Sequence, residues 1–575
     1  MIRKAILALA PKGTLRRKFI KKSLRLLGYK PVPPGYYQDY YFQNREFIPL
    51  TPVVEMKEPL ISIIVPAYNT PARYLLPLVY SIASQAYTNW ELIVVDGSED
   101  KEASKQINAC KDIDRRIRVI KVDNGGISKN TNAGIKIAKG EFIAFADHDD
   151  VLDEMALKEV GIAISKNPEV GIIYSDEDKI SDNGAKYFDP FFKPDWSPVL
   201  FERVNYLNHF CVIKKALLDR IGLLNPDMDG AQDYDLLLRA TDTDALIIHI
   251  PKVLYHWRAT NTSTALNFDI KPNVTRAAKK SLENHLSRRK IKAGVKIQDG
   301  RPGFYEIDYK PFESLSMFIA PFSNEKVISL YVNLLLKKSE INGISLQLFV
   351  PIGTEIEASQ KEKIDKISFY DPKSKNFLSE TIKTTTDNHI IMVNKILFPK
   401  HKRWIKTLSG YLRDDRTATV APVIVRKEVI IEDYGLIEQD GLLLPYLLGY
   451  PANGSLTYLG VTDWPRNVAA LSGGIGVIRK NEFSAYLKQH QENDPHNALL
   501  NFSKYVHKKG LQNVVTADVK MSRESIEIQS SMPSEYNPLN SNVKLYGHKW
   551  ELVASDSGLQ NILFHMNERE DGHEK

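Results

Sequence analysis

Residues 145–150, "FADHDD", set three aspartates and a histidine directly behind an apolar stretch. Alternate residues beyond a strand end can both reach a ligand above a sheet edge, so Asp147 and Asp149 form a candidate pair of hard oxygen ligands. Mg²⁺ or Mn²⁺ suits two carboxylates and keeps the rest of its shell for water or phosphate oxygens. A divalent ion on a diphosphate acts as a Lewis acid toward a departing phosphate. The same triplet also reads as a solvated acidic turn, with His148 a spacer.

The elements around it decide where such a turn sits. "LISIIVPAY" (60–68) is a β-branched run stopped by Pro66, followed by the helical "RYLLPLVYSIASQAY". "WELIVVDGS" (90–98), a helix near 101–110, "IRVIKVD" (117–123), a helix through "NTNAGIKIAKG" and "EFIAFAD" continue the alternation. Such alternation implies an α/β fold with a parallel sheet covered on both faces, binding ligands beyond the carboxyl ends of its strands. Asp96 and Asp147 both lie at such ends.

The pattern recurs. "LSMFIAPFS" (315–323) aligns with the first strand at Pro321 and Pro66, and "QLFVPIG" aligns with "LIVVDGS" at Pro351 and Asp96, a separation of 30 residues in both halves. "EFIAFADHD" matches "NHIIMVNKI" (388–396), "NYLNHFCVIKK" resembles "NVAALSGGIGVIRK" (467–480), and "QDYDLLLR" corresponds to "NDPHNALLNF" (493–502). Apolar positions persist, while Asp96, Asp147 and Asp149 become Pro351, Asn394 and Ile396. The second copy keeps what a fold needs and loses what a cation needs.

At 575 residues the chain is too long for one ordinary core. Its two cysteines, Cys110 and Cys211, lie far apart, which argues against a disulfide scaffold or structural zinc and fits a reducing cytosol. The net charge of +7 is uneven: Arg3, Lys4, Lys12, Arg16, Arg17, Lys18, Lys21, Lys22, Arg25 and Lys30 all precede the first acid, Asp39. "TLRRKFIKKSLRLLG" places Leu15, Phe19, Ile20, Leu24 and Leu27 on one helical side, a basic amphipathic helix suited to an anionic membrane surface or to the protein's own body. Basic residues confined to this tail, without stacking aromatics among them, argue against nucleic acid. No run of about 18 apolar residues appears, so membrane contact is expected to be peripheral.

"SIIVPAYN", "ELIVVDGS", "NGGISKNTNAGIKIAKGEFIAFADHDD", "IIYSDEDKI", "FKPDW", "GAQDYDLLLR" and "HIPKVLYHWR" stand in the order and spacing of a family-2, GT-A-fold glycosyltransferase. The chain most resembles bacterial enzymes of O-antigen, rhamnan and related cell-surface polysaccharide synthesis. The resemblance implies two tandem GT-A (Rossmann-like) domains, the second degenerate: a basic extension (1–58), a catalytic domain (59–265), a helical linker (266–310), a degenerate domain (311–530) and a tail (531–575). Residue by residue it implies that Pro66, Tyr68, Asn69, Asp96, Asn132 and Asp147 bind the nucleotide of a UDP- or dTDP-sugar. It implies metal binding by Asp149 and His256, and a general base in Asp233. Asp176, Asp178, Trp196 and Arg258 are expected near donor or acceptor sugar, Arg258 helping to neutralise the diphosphate. Gln232 stands where the broader family often has Glu.

Each residue also has a plainer reading. Asp96 suits a turn before Gly97, Asp233 a helix N-terminus, and His256 a packed core. "SDEDK" (175–179) suits a loop turn, and Trp196 a core gap. The expected reaction is inverting transfer from the nucleotide sugar to a hydroxyl of a lipid-linked or growing polysaccharide, with Mn²⁺ or Mg²⁺, at the inner face of the bacterial membrane. The second half is left with acceptor binding, homo-oligomer contacts or another transferase as its partner. The alternative is a non-catalytic scaffold or glycan-binding partner. A nucleotidyltransferase would want a Gly-rich, Arg-bearing loop after the first strand, which "VPAYNTPAR" does not supply.

Overall fold

The computed structural model describes residues 58–523, except 261–271, 299–300, 302, 427–429, 440, 449–451, 453–455, 458–459 and 462. The basic amphipathic segment and the C-terminal tail lie outside the described residues.

The apolar runs of the first half form the parallel strands β1 (Ile61–Ala67), β2 (Trp90–Asp96), β3 (Ile117–Lys121) and β4 (Phe142–Phe145). β1 pairs in parallel with both β2 and β4, and β2 with β3. Crossover helices α1 (Ala72–Ala83), α2 (Lys101–Ala109) and α3 (Ile127–Ile137) return the chain each time. Ile63, Ile64, Val65, Leu92, Ile93, Val94 and Val95 are all fully buried, which is why these strands read as continuous runs rather than alternation. β1 runs one residue past Pro66, which lies opposite Val95.

Beyond β4 come β5 (Val151–Leu152), α4 (Ala156–Lys166), β6 (Val170–Ser181), β7 (Tyr187–Phe191), β8 (Cys211–Lys214), α5 (Lys215–Ile221), α6 (Gln232–Thr241) and β9 (Leu246–Ala259). The sheet order is β3-β2-β1-β4-β8-β6-β9-β5, with β7 on β6, and β8 runs antiparallel to β4 and β6. "SDEDK" is no loop turn: it lies inside β6, paired along its length with β9.

The second half repeats this sheet and adds one strand, Arg466–Val468, paired with Gln512–Ser522. Its order is Lys366–Tyr370, Ser345–Pro351, Ser314–Ile319, His389–Val393, Ile475–Arg479, Thr417–Arg426, Gln512–Ser522 and Phe398–Pro399, with Ile430–Asp433 added where β7 is added in the first half. The fold is thus two successive GT-A-type α/β units, as the spacing of Pro66 and Pro321 implies.

The stretch read as a linker is structural. Helix Pro272–Arg288 and the hairpin Ala293–Ile297/Tyr305–Tyr309 put Ala278, Leu282, Leu286, Val295, Tyr305 and Ile307 into the first half's core with Tyr234 and Leu238. Ala278, Leu282 and Leu286 recur every fourth residue, so they form one helical face, which the basic charge around them obscures. The cores also trade residues: Trp464 is buried in the first, and Val199 in the second. No helix among the described residues is long and apolar enough to cross a membrane.

Candidate active site

The acidic turn follows β4 and is anchored by its last aspartate. Asp150 is fully buried and accepts from the Tyr255 hydroxyl at 2.5 Å and the Arg258 backbone N–H at 2.7 Å. The Arg258 side chain donates to the Asp149 carbonyl and, at 3.0 Å, to the Asp182 carbonyl, so it fastens the turn to the β6–β7 connection. With Asp150 inward, the side chains of Asp147 and Asp149 stay 49% and 25% exposed. Burial and then the Asp147 charge push the Asp149 carboxyl above the usual carboxylate range, the nearby His148 and Arg258 opposing. Crowded carboxylates of this kind gain most from a cation.

The segment leading into β8 closes the opposite side. Asp233, in the first turn of α6, accepts from Asn205 Nδ2 at 3.1 Å and from Asn208 Nδ2 on the same oxygen, Oδ2. Burial, with the charge of Asp147 adding to it, raises its pKa, while His209 pulls it down. His209 Nε2 is 3.7 Å from Asp147 Oδ2, and its Nδ1 is 3.4 Å from Glu177 Oε2. The His209 ring stacks on Tyr255 at 4.9 Å. Burial works against its charge, but Glu177 and Asp147 hold its pKa at about 9. Beneath it the fully buried Lys193 lies 3.3 Å from Glu177 and donates to the His209 carbonyl. Asp147, Asp233 and His209 therefore share one electrostatic neighbourhood next to Asp149.

On the nucleotide side, Asp96 ends β2, but its carboxylate is already engaged. It accepts from the Ser98 N–H at 2.8 Å and from Ser104 Oγ, and Lys121 Nζ lies 3.2 Å away. Burial opposes ionisation there, yet these donors hold the pKa below the usual value. Tyr68 is 44% exposed beside it. Asn69 has a left-handed φ of 48°, its backbone N–H donates to Ser98 Oγ at 2.8 Å, and its side-chain Oδ1 accepts from the Asp100 N–H at 3.1 Å. Asn132 bonds the Leu224 backbone, donating through Nδ2 at 2.8 Å and accepting on Oδ1 at 3.0 Å, which docks α3 on the loop after α5.

The residues expected at the sugars are mostly bound up internally. Asp176 accepts from the Lys193 N–H at 2.7 Å and sits 2.9 Å from His249 Nε2. Asp178 is fully buried against His256 Nδ1 at 2.6 Å, so both members of that pair are engaged with each other behind the turn. Trp196 packs 5.4 Å from Phe201 and stacks on Tyr206 at 6.5 Å, filling an aromatic cluster. Asp235 pairs with Arg239 at 2.9 Å. Among the described residues no group of three or more His, Cys, Asp or Glu forms a ready-made metal cage. Asp147 and Asp149 fit instead an ion that takes one or two carboxylates and completes its shell from phosphate and water.

Glu177, Lys193, Asn205, Asn208 and His209 carry site geometry that the motifs left unassigned. A signal for three of them was present. With Lys215 set against Lys480, "NYLNHF" meets "ALSGGI", so Asn205, Asn208 and His209 become Ala470, Gly473 and Gly474 while the strand survives.

Residues 62–222 match the family model for Glycosyl transferase family 2. An uncharacterized protein of Sinorhizobium fredii is 42% identical over 40% of this chain and 26% of its own length. The O-antigen biosynthesis protein RfbC of Myxococcus xanthus is 26% identical over 75% of this chain and 34% of its own. An uncharacterized glycosyltransferase of Rickettsia typhi is 30% identical over 36% of this chain and 68% of its own. The chain belongs to glycosyl transferase family 2, and it spans no more than 34% of the length of the first two relatives.

Proposed function

We propose that the chain is an inverting, metal-dependent glycosyltransferase that moves a sugar from a UDP- or dTDP-sugar to a hydroxyl of a lipid-linked or growing cell-surface polysaccharide. The observation that carries this reading is that adjacent residues link Asp233 to the acidic turn: Asn208 donates to Asp233, and His209 Nε2 lies 3.7 Å from Asp147. A desolvated carboxylate is a stronger base than an exposed one, and the amides of Asn205 and Asn208 orient it toward an acceptor hydroxyl. Mg²⁺ or Mn²⁺ held by Asp149, with Asp147 beside it, would supply positive charge at the leaving diphosphate. The His209 imidazolium adds a second positive charge to that edge. The exposed Tyr68 offers a face for the nucleotide base. The likeness to an O-antigen biosynthesis protein supports a polysaccharide acceptor, and the basic segment before Asp39 supports work at the inner membrane face.

The test is nucleotide release from UDP- and dTDP-sugars by the full chain. Release is expected to need both Mn²⁺ and an acceptor glycolipid, and to vanish in Asp149→Ala and Asp233→Asn. Undiminished release in both variants would overturn the reading.

A further inference from the structure

Asn205, Asn208 and His209 all lie on the segment between the short helix Pro198–Phe201 and β8. Its inner end is tied by Lys193 to the His209 carbonyl. Its outer end is tied across to the second half. Arg203 is buried and donates through Nη2 to the Tyr411 hydroxyl at 2.6 Å and to the Asp518 carboxylate. Tyr411 in turn donates to Asp518 at 2.5 Å and lies 2.9 Å from Thr516 Oγ1. The Arg203 carbonyl accepts from the Tyr305 N–H at 2.9 Å, adding the hairpin after the long helix to the same junction. Upstream, Ser197 Oγ and the Val199 N–H donate to Asn467 Oδ1 at 2.9 and 3.3 Å.

From these contacts we propose that the second half acts on the first through Arg203, as a brace that fixes the orientation of Asp233 and the place of His209 beside Asp147. This rests on the role proposed above for Asp233. The planar guanidinium is held through both terminal nitrogens, Nη2 on Tyr411 and Asp518 and Nη1 on the Tyr305 carbonyl at 3.4 Å, so the clamp sets the angle as well as the position of residue 203. Asn205, which grips Asp233, is two residues further along. A displacement of about 1 Å at a reacting group costs about 10²-fold in rate, so a loose clamp is felt at the base. Arg203 is thus a positioning residue, and the second half has a use that needs no counterparts of Asp96, Asp147 and Asp149.

The experiment compares Tyr411→Phe and Asp518→Asn in the full chain, both close in shape to the native residue, with Arg301→Ala. That control cuts another contact between the halves, Arg301 to Asp463 at 3.2 Å. Steady-state release is measured with UDP-glucose, UDP-N-acetylglucosamine and dTDP-rhamnose in Mn²⁺, alongside binding of UDP. The clamp variants are expected to lose about tenfold or more in kcat. Donor KM and UDP affinity should change less than kcat, since Asp96 and Tyr68 lie outside the braced segment. Asp518→Glu should recover most of the rate, and Arg301→Ala should match the wild type. Amide exchange at Asn208 and His209 should quicken only in the clamp variants. Wild-type kcat and exchange in both clamp variants, or equal losses in Arg301→Ala, would sink the proposal. If the wild type consumes none of the three sugars, the catalytic reading fails for them while amide exchange still decides the brace.

Discussion

The two halves use the same strand end in opposite ways. In the first, Asp147 leaves β4 half exposed, facing His209 across 3.7 Å. In the second, its counterpart Asn394 is buried and donates to the Gly473 and Pro495 carbonyls, both at 2.9 Å. Where the first half has Asn208 and His209, the second has Gly473 and Gly474, and a Cβ on Gly473 would lie 2.5 Å from the His496 carbonyl. Asp233 lies inside its helix and takes side-chain amides, whereas Asp494 caps its helix by accepting from the His496 N–H at 2.9 Å. The difference teaches that the sheet is indifferent to these polar residues. One copy leaves them open at the sheet edge, and the other replaces them with groups that close it.

The widest separation between the halves is expected in transfer itself. Asp149→Ala should abolish nucleotide release, while Lys395→Ala, one residue before Ile396 in the second copy, should leave it largely intact. Next, Asp233→Asn should cost about 10³-fold in kcat and Asp494→Asn almost nothing, read in the same release assay. In stability the order reverses. Asn394→Asp cannot donate to two carbonyls and should cost about 1–3 kcal/mol in denaturant unfolding, whereas Asp147→Asn at an exposed position should cost little.

The smallest effect is in pH dependence, and its sign differs between halves. His285, 2.6 Å from Asp242 and 3.4 Å from Glu202, is held at about 9 against the cost of burial. Its contribution is complete below the ordinary 6.5 and is lost as pH rises toward about 9. His389 is pushed by burial, then by Arg479 and Arg413, down to about 4, so the unfolded chain takes up its proton first and stability falls as pH drops from 6.5 toward 4. His285→Gln should flatten the alkaline limb and His389→Gln the acid limb, each by at most about 1.4 kcal/mol per pH unit in unfolding free energy. Equal changes on both limbs would erase this contrast.

The parallel strands were legible because both faces are covered, leaving unbroken apolar runs. The duplication was legible because Pro66 and Pro321 each precede their second-strand partner by 30 residues. Residues 272–309 were misread because a helix whose buried face alternates with Arg276, Lys279, Lys280 and Arg288 looks solvated when its partner core is unknown. "SDEDK" was misread because its charges are consumed in pairs with distant residues: Asp176 with His249, and Asp178 with His256. The engagement of Asn132 was hidden for the same reason, its partner Leu224 being 92 positions away. The acidic turn was visible as chemistry, but the amides that hold Asp233 belong to Asn205 and Asn208, and a short motif around Asp233 does not record contacts 25 and 28 positions away.

The exchange of side chains between the two cores has a consequence for inheritance. Trp464 belongs to one copy by descent and to the other by burial, and Val199 makes the opposite journey. A recombination that paired this first half with another transferase's second half would strand an indole without its socket and leave Arg203 facing a stranger. The two copies, once alike, have become a matched pair that shuffling can only pass on together.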